Sequence, residues 1–246
     1  MKRKDMLVAA AGAAGSAALL STVMKSRAAS TTQSYVASVP NHGKPLTPPK
    51  QGLPRVAIVL GPDTVAIDAV GPMEAFSNTY GPGFVPRFMI YTVAASMRMV
   101  AVENFWVVPD YTFENVLQPH VIVIPQQRIL PETVAWVKEA SASADVTMSV
   151  CTGAFLLAKT GLLDGLAATT HHAAYDRFEK TFPKVKLLRG PRYVENENVS
   201  SAGGESSGID LALRVVERYY GKEPAAETAY QLEHVRRARP MSVNDV

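Results

Sequence analysis

Two short segments of this chain, Val56-Ala57-Ile58-Val59-Leu60 and Val121-Ile122-Val123-Ile124, are apolar at every position, and a third, Val146 to Val150, is nearly so. Such a segment has no polar face to offer water, so it belongs in a sheet covered on both sides. Between these segments lie stretches with helical spacing: Ile67 to Asn78, Pro131 to Ala140, Thr152 to Thr160, Ala173 to Phe182, Ile209 to Tyr220 and Pro224 to Arg236. Pro131 stands where a helix start tolerates a missing N–H, while Gly161, Pro183 and Gly221 supply stops. Phe88 to Val93, Met99 to Val107, Ala168 to Thr170, Val185 to Leu188 and Tyr193 to Val199 are the remaining strand candidates. Strands alternating with helices predict an α/β three-layer sandwich around a mostly parallel sheet.

The 246 residues suit one such domain plus extra sequence at the front. Residues 1–28 read as an export signal. Lys2-Arg3-Lys4 precedes an apolar, small-residue stretch starting at Met6, and Ser26-Arg27-Ala28 offers a small-x-small cleavage pattern. Arg3-Lys4-Asp5-Met6-Leu7 is twin-arginine-like with lysine in the second place, and an uncleaved membrane anchor is the alternative. Residues 29–54, Ser/Thr-rich and then Pro-rich, read as a linker or arm, with order expected from Arg55 and the domain over 55–246. The expected location is the periplasm or the outside of the cell, with no stable membrane association once the signal is removed. The formal charge of +3 is concentrated at the N-terminus, where Lys2, Arg3, Lys4, Lys25 and Arg27 face Asp5 alone, and the remainder comes to about −1. No basic face points to nucleic acid, and the short stretch after the last helix is too small for a helix-turn-helix domain. Cys151 is the single cysteine, so no intramolecular disulfide is open to it and it stands as a free thiol.

In open α/β sheets, sites lie beyond the carboxyl ends of the strands, and three segments carry reactive groups there. In Val150-Cys151-Thr152-Gly153 a strand runs into a helix with no loop, so Cys151 occupies a sharp turn for which Gly153 gives room. That is the pattern of a nucleophile elbow. The helix start favours thiolate over thiol, and its N–H groups, including that of Thr152, can bind an oxyanion. A buried core cysteine is the alternative. In Ile67-Asp68-Ala69-Val70-Gly71-Pro72-Met73-Glu74, Asp68 is an acid among apolar residues. Beside a thiolate it would be held protonated and able to donate a proton; the alternative is a helix N-cap. Glu74 reads as solvated or salt-bridged. In Ala168-Thr169-Thr170-His171-His172, adjacent histidines point opposite ways, so at most one faces the site. His171 is a candidate thiol partner or orienter, or a histidine with an ordinary hydrogen-bonding role. One Cys and few His make a metal site unexpected.

Taken together, Asp68-x-x-Gly71-Pro72-x-Glu74-x-Phe76, Ser149-Val150-Cys151-Thr152-Gly153, Gly161-Leu162-Leu163-Asp164-Gly165 running to His171, and Ser201-Ala202-Gly203-Gly204 with Gly208-Ile209-Asp210 resemble the ThiJ/PfpI family of the class I glutamine-amidotransferase-like superfamily. The likeness runs from about Arg55 to His234 and is nearest to the isonitrile hydratase branch. The resemblance implies a flavodoxin-like sandwich, a homodimer, Cys151 as nucleophile and Asp68 as the acid beside it. It also implies roles for Thr152 after the nucleophile and for His171 as the active-site histidine, with Gly203 and Gly204 in a loop near the pocket. Ser206 and Ser207 read more simply as caps of the helix starting near Ile209.

Three departures stand out. Where the family usually has Pro-Gly-Gly, this chain has Pro125-Gln126-Gln127, so a side chain enters the pocket although the backbone can still donate. His172 replaces the usual Trp. Thr152 stands where peptidase-like members carry His, which argues against proteolysis. The expected activity is cysteine-dependent hydration or hydrolysis of a small molecule, an isonitrile giving an N-substituted formamide, with no cofactor. The alternatives are a non-enzymatic oxidative-stress sensor or binding protein, whose free thiol is an oxidation target, and an enzyme acting on glyoxal-type carbonyls.

Overall fold

In the computed structural model, which describes residues 43–236, the three apolar segments lie side by side at the centre of a seven-stranded sheet. Its strands are β1 (Arg55–Val59), β2 (Met89–Ala94), β3 (Tyr111–Thr112), β4 (Val121–Ile124), β5 (Val146–Ser149), β6 (Tyr193–Glu195) and β7 (Val199–Ala202). They run in the order β6-β7-β5-β4-β1-β2-β3, parallel throughout except for the β6–β7 hairpin. The helices are α1 (Ala66–Ser77), α2 (Pro131–Ala140), α3 (Gly153–Lys159), α4 (Tyr175–Thr181), α5 (Ser207–Tyr220) and α6 (Lys222–Gln231). This is a flavodoxin-like α/β sandwich.

The period-two alternation of a strand explains why the central segments are apolar at every position. Val56, Ile58, Val121, Val123 and Met148 pack in one core with residues of α1, α5 and α6. Their neighbours Ala57, Val59, Ile122 and Ile124 pack in a second core with residues of α2, α3 and α4. From β1 the chain moves to β2 and β3 on one side, then returns across β1 to β4 and continues outward through β5. The direction reverses between β1 and β4, and a crevice opens at the carboxyl ends where that happens. The loops after β1, β4, β5 and β7 meet at that edge.

Several elements differ from the sequence expectation. Met99 to Val107 is a separate hairpin of Val100–Val102 with Phe105–Val107, outside the main sheet. Tyr193 to Val199 is not one strand: β6 stops at Glu195, the chain turns, and β7 follows. Of Ala168 to Thr170 only Ala168 is extended, in a short strand Ala167–Ala168 paired with Lys186–Leu187. The helix expected from Ala173 starts as a 3-10 turn over His172–Ala174. The last helix starts earlier and ends earlier than its sequence spacing suggests, at Lys222 and Gln231.

Order also starts before Arg55. Residues 43–54 contain no helix or strand, yet Leu46 N–H donates to the Arg218 carbonyl at 2.7 Å. Arg218 Nε donates in return to the Lys44 carbonyl at 2.9 Å, and Arg214 Nη2 to the Gly43 carbonyl at 3.3 Å. Both arginines surround Glu195, buried at the end of β6, which Arg214 Nε reaches at 2.9 Å. Residues 1–28, read above as an export signal, lie outside the described residues.

Candidate active site

Cys151 sits where β5 gives way to α3, with φ +57°. A non-glycine residue there bears steric strain, of order 1–2 kcal/mol. The turn is held from three sides. Cys151 N–H donates to the Gly203 carbonyl at 2.9 Å, and Thr170 Oγ1 donates to the Cys151 carbonyl at 2.9 Å. Gly153 presses against the end of β4 so closely that a Cβ there would fall 2.2 Å from the Ile124 carbonyl oxygen. Glycine is therefore what allows α3 to start where it does.

Asp68, in the first turn of α1, is fully buried at the same edge. Its Oδ2 accepts the Gln126 backbone N–H at 3.1 Å, while Oδ1 is buried without a hydrogen-bond partner among the described residues. The N-cap of α1 is Val65, so the capping alternative for Asp68 does not hold. Burial, opposed by the Gln126 N–H, pushes the Asp68 carboxyl up to about 7; the Glu205 charge adds to the rise, and the adjoining Cys151 side chain lowers it. The expectation that a neighbouring thiolate would hold Asp68 protonated is corrected in its cause: burial raises the carboxyl, and Cys151 acts in the opposite direction.

The expectation for the thiol does not agree. Burial, and after it the Asp68 charge, push Cys151 up to about 12, against the Thr152 and Glu205 backbone N–H groups that lower it. Cys151 is only 4% exposed, so the loss of water outweighs what two amides at a helix start supply. At neutral pH the resting sulfur carries its proton, and its hydrogen-bond acceptor is Gln126 Oε1 at 3.7 Å.

The two glutamines part company. Gln126 does enter the site, but its N–H is committed to Asp68. Gln127 turns away: it is buried, and Nε2 donates to the Val59 carbonyl at 3.0 Å. It is not a pocket residue at Cys151. The N–H of Cys151 is likewise committed, to Gly203. The amides directed at the sulfur are those of Thr152 and Glu205.

His171 makes no hydrogen bond to Cys151 among the described residues. Its Nδ1 accepts the Ala173 N–H at 3.3 Å, which starts the 3-10 turn, and burial lowers its pKa, favouring the neutral ring. The ring lies on Gly204, where a Cβ would fall 2.2 Å from Cδ2. The two histidines do not diverge as adjacent residues on a strand would. They sit in a turn, with ring centroids 4.2 Å apart. Glu74 is exposed and accepts from Asn78 Nδ2 at 3.1 Å.

Glu205 was missed from sequence. It follows Gly203 and Gly204 in the loop after β7, has φ +41°, and directs its N–H at the sulfur. A polar cluster braces this loop. Gly203 N–H donates to the Arg192 carbonyl at 2.8 Å, Arg192 Nη2 donates to Ser206 Oγ at 3.2 Å, and Arg192 Nε reaches Asp210 at 2.5 Å. His234, after α6, meets Asp210 from the other side at 3.0 Å. Ser206 is the N-cap of α5 by position, but its side chain makes no capping bond, so the serines do not play the capping role their spacing suggested. Among the described residues, no group of three or more His, Cys, Asp or Glu is arranged to hold a metal ion.

The profile of the DJ-1/PfpI family matches residues 54–218, from the strand before Asp68 through the elbow and into the last turn of α5. The chain belongs to the DJ-1/PfpI family. Isonitrile hydratase of Pseudomonas putida is 27% identical over 73% of this chain and 78% of its own length. The transcriptional regulator CdhR of Pseudomonas aeruginosa is 30% identical over 44% of this chain, a stretch that spans 32% of the regulator. Among solved structures, a ThiJ/PfpI family protein from Pseudomonas syringae aligns with a TM-score of 0.64 at 24% identity, over 83% of this chain and 81% of that one. Drosophila melanogaster DJ-1beta aligns with a TM-score of 0.63 at 16% identity, over 75% of this chain and all of that one. These structural likenesses are likenesses of fold. A family that includes both a hydratase and regulators leaves the activity of this member to be argued from its site.

Proposed function

We propose that this DJ-1/PfpI protein is a cysteine-dependent hydratase of small electrophiles, with an isonitrile as substrate and an N-substituted formamide as product. The observation that carries the reading is the pairing at the elbow: a strained thiol beside a buried carboxyl whose Oδ1 has no other partner. At neutral pH the thiol is protonated and Asp68 is close to half-ionised, so Asp68 can accept the thiol proton as the sulfur attacks. The S–C bond forms at the terminal isonitrile carbon, and Asp68 returns the proton to that carbon, leaving a thioimidate. Water then adds to the carbon, one of its protons passes to nitrogen, and the C–S bond breaks as the other passes to the departing sulfur. The products are the formamide and the free thiol, so one water is consumed per turnover.

The Thr152 and Glu205 amides are the donors for charge that develops at the reacting centre. Gln126 contacts the sulfur and narrows the space for substrate, and His171 lines the site as a neutral ring on Gly204. The proposal includes a homodimer, in keeping with the family.

The test is formamide formation from alkyl and aryl isonitriles by wild type, Cys151→Ala and Asp68→Asn, with methylglyoxal consumption measured alongside. Turnover of an isonitrile that disappears in both variants supports the reading. Full turnover in Cys151→Ala, or turnover of methylglyoxal alone, refutes it. Selective oxidation of Cys151 by mild peroxide with no turnover would move the protein to the sensor class, a reading that the burial and raised pKa of the thiol disfavour.

A further inference from the structure

A second cleft, of about 430 Å3, lies where the loop between α1 and β2 meets α6. That loop leaves the C-terminus of α1 and leads into the start of β2, so the cleft belongs to the amino-terminal edge of the sheet, away from Cys151. Two of its walls are the rings of Tyr80 and Phe84, with centroids 6.1 Å apart and planes at 64°. The lining also includes Glu223 and Glu227, exposed and four residues apart, so on one face of α6. Neither carboxylate has an ion-pair partner among the described residues.

Arg87 is the single cation in the lining, and its guanidinium is tied to the wall by a hydrogen bond and a ring contact. Its Nε donates to the Tyr80 carbonyl at 3.0 Å and its guanidinium lies over the Tyr220 ring, 4.5 Å from the centroid. The cleft is built before any ligand arrives. Thr79 Oγ1 and Thr228 Oγ1, 3.1 Å apart, tie the end of α1 to α6. Phe84 is 80% exposed and held at φ +59°, a conformation costly for a bulky side chain, so the backbone is strained while the ring stands in the open. The two rings meet edge to face with Phe84 open to solvent, and an exposed ring face suits an alkylated ammonium better than a tightly hydrated metal ion. The unpaired carboxylates add the same sign of preference.

We propose that this cleft binds a small organic cation, with an alkylated ammonium group seated between the Tyr80 and Phe84 rings and the Glu223 and Glu227 carboxylates. The site is independent of Cys151 and of the hydratase reading. The test uses the full chain and two probes, choline and its neutral isostere in which carbon replaces the quaternary nitrogen. Backbone amide shifts of Gly81, Gly83 and Thr228 are followed by NMR, with sodium chloride at matched concentration as control. Saturable shifts are expected with choline, about tenfold weaker binding with the isostere, and at least about threefold weaker choline binding for Phe84→Leu and for Glu227→Gln. Cys151→Ala is expected to bind as wild type does. Amide spectra that otherwise overlay wild type establish that the variants are folded. Shifts matched by sodium chloride or by the isostere, or left unchanged by both substitutions, would overturn the proposal.

Discussion

Replacing Asp68 with Asn should make the protein more stable, by an amount that grows with pH, while removing the proton acceptor proposed for Cys151. Asp68 is fully buried, and its carboxyl is raised from 3.8 to about 7, chiefly by burial. A carboxyl that titrates higher in the folded chain than in the unfolded one favours folding least when ionised. Wild-type stability is therefore full below about pH 4, declines as pH rises toward about 7, and levels off above that. At about 1.4 kcal/mol per pH unit, the full loss is about 4 kcal/mol, of which roughly 2–3 kcal/mol falls between about pH 5 and about pH 8.5. Asn keeps an acceptor for the Gln126 N–H and never ionises. Any penalty for its buried NH2 does not vary with pH, so the pH trend isolates the carboxyl. Denaturant unfolding of both proteins at the two pH values, extrapolated linearly, measures it. A stability difference that stays flat between them would refute the account of Asp68 as a group buried against its own ionisation.

Other substitutions test the frame around the thiol. Gly153→Ala places a Cβ 2.2 Å from the Ile124 carbonyl oxygen and 2.8 Å from that of Pro125. Since backbone cannot swing aside, a loss of about 2 kcal/mol or more is expected in thermal or chemical denaturation. Cys151→Gly should be more stable than Cys151→Ala by about 1 kcal/mol, because glycine adopts a positive φ without steric cost; equal melting temperatures would mean that the elbow is unstrained. Arg192→Gln loosens the loop that carries the Glu205 amide, so the pH–rate profile of Cys151 alkylation by iodoacetamide should move to higher pH. A profile that does not move would show that the brace leaves the sulfur untouched.

The central strands were readable because burial on both faces demands apolar residues throughout, and the elbow was readable because only Val150, Cys151 and Thr152 separate β5 from α3. β7 was not, although it borders β5 at the heart of the sheet. It carries Ser200 and Ser201, fully buried hydroxyls that interrupt the apolar pattern. Ser201 Oγ accepts the Thr169 N–H at 2.8 Å, a long-range bond that no local spacing announces. The site divided in the same way. Cys151 and Asp68 were named from their own neighbourhoods, whereas the protonation of the thiol depends on packing from α1, the β4 loop and the β7 loop together. Helix-start amides suggested an acidic thiol, and burial reversed the sign. Gln126 and Gln127 look equivalent on paper, yet one turn of backbone sends one to the sulfur and the other to Val59. Glu205 could have been marked as the residue following Gly203-Gly204 at the carboxyl edge, but only the fold aims its N–H.

The arm before β1 sets where this folding unit can be cut. The family profile begins at residue 54, yet carbonyls of Gly43 and Lys44 accept from Arg214 and Arg218, which stand with Glu195 at the edge of the sheet. A chain begun at the profile's edge would leave Arg218, buried on α5, without the acceptor for its Nε. At the other end, Arg236 and His234 reach back to Glu217 and Asp210, beyond the residue at which the profile stops. Recombinant versions trimmed to the region of family likeness would therefore be shorter than the piece that keeps these contacts, which runs at least from Gly43 to Arg236.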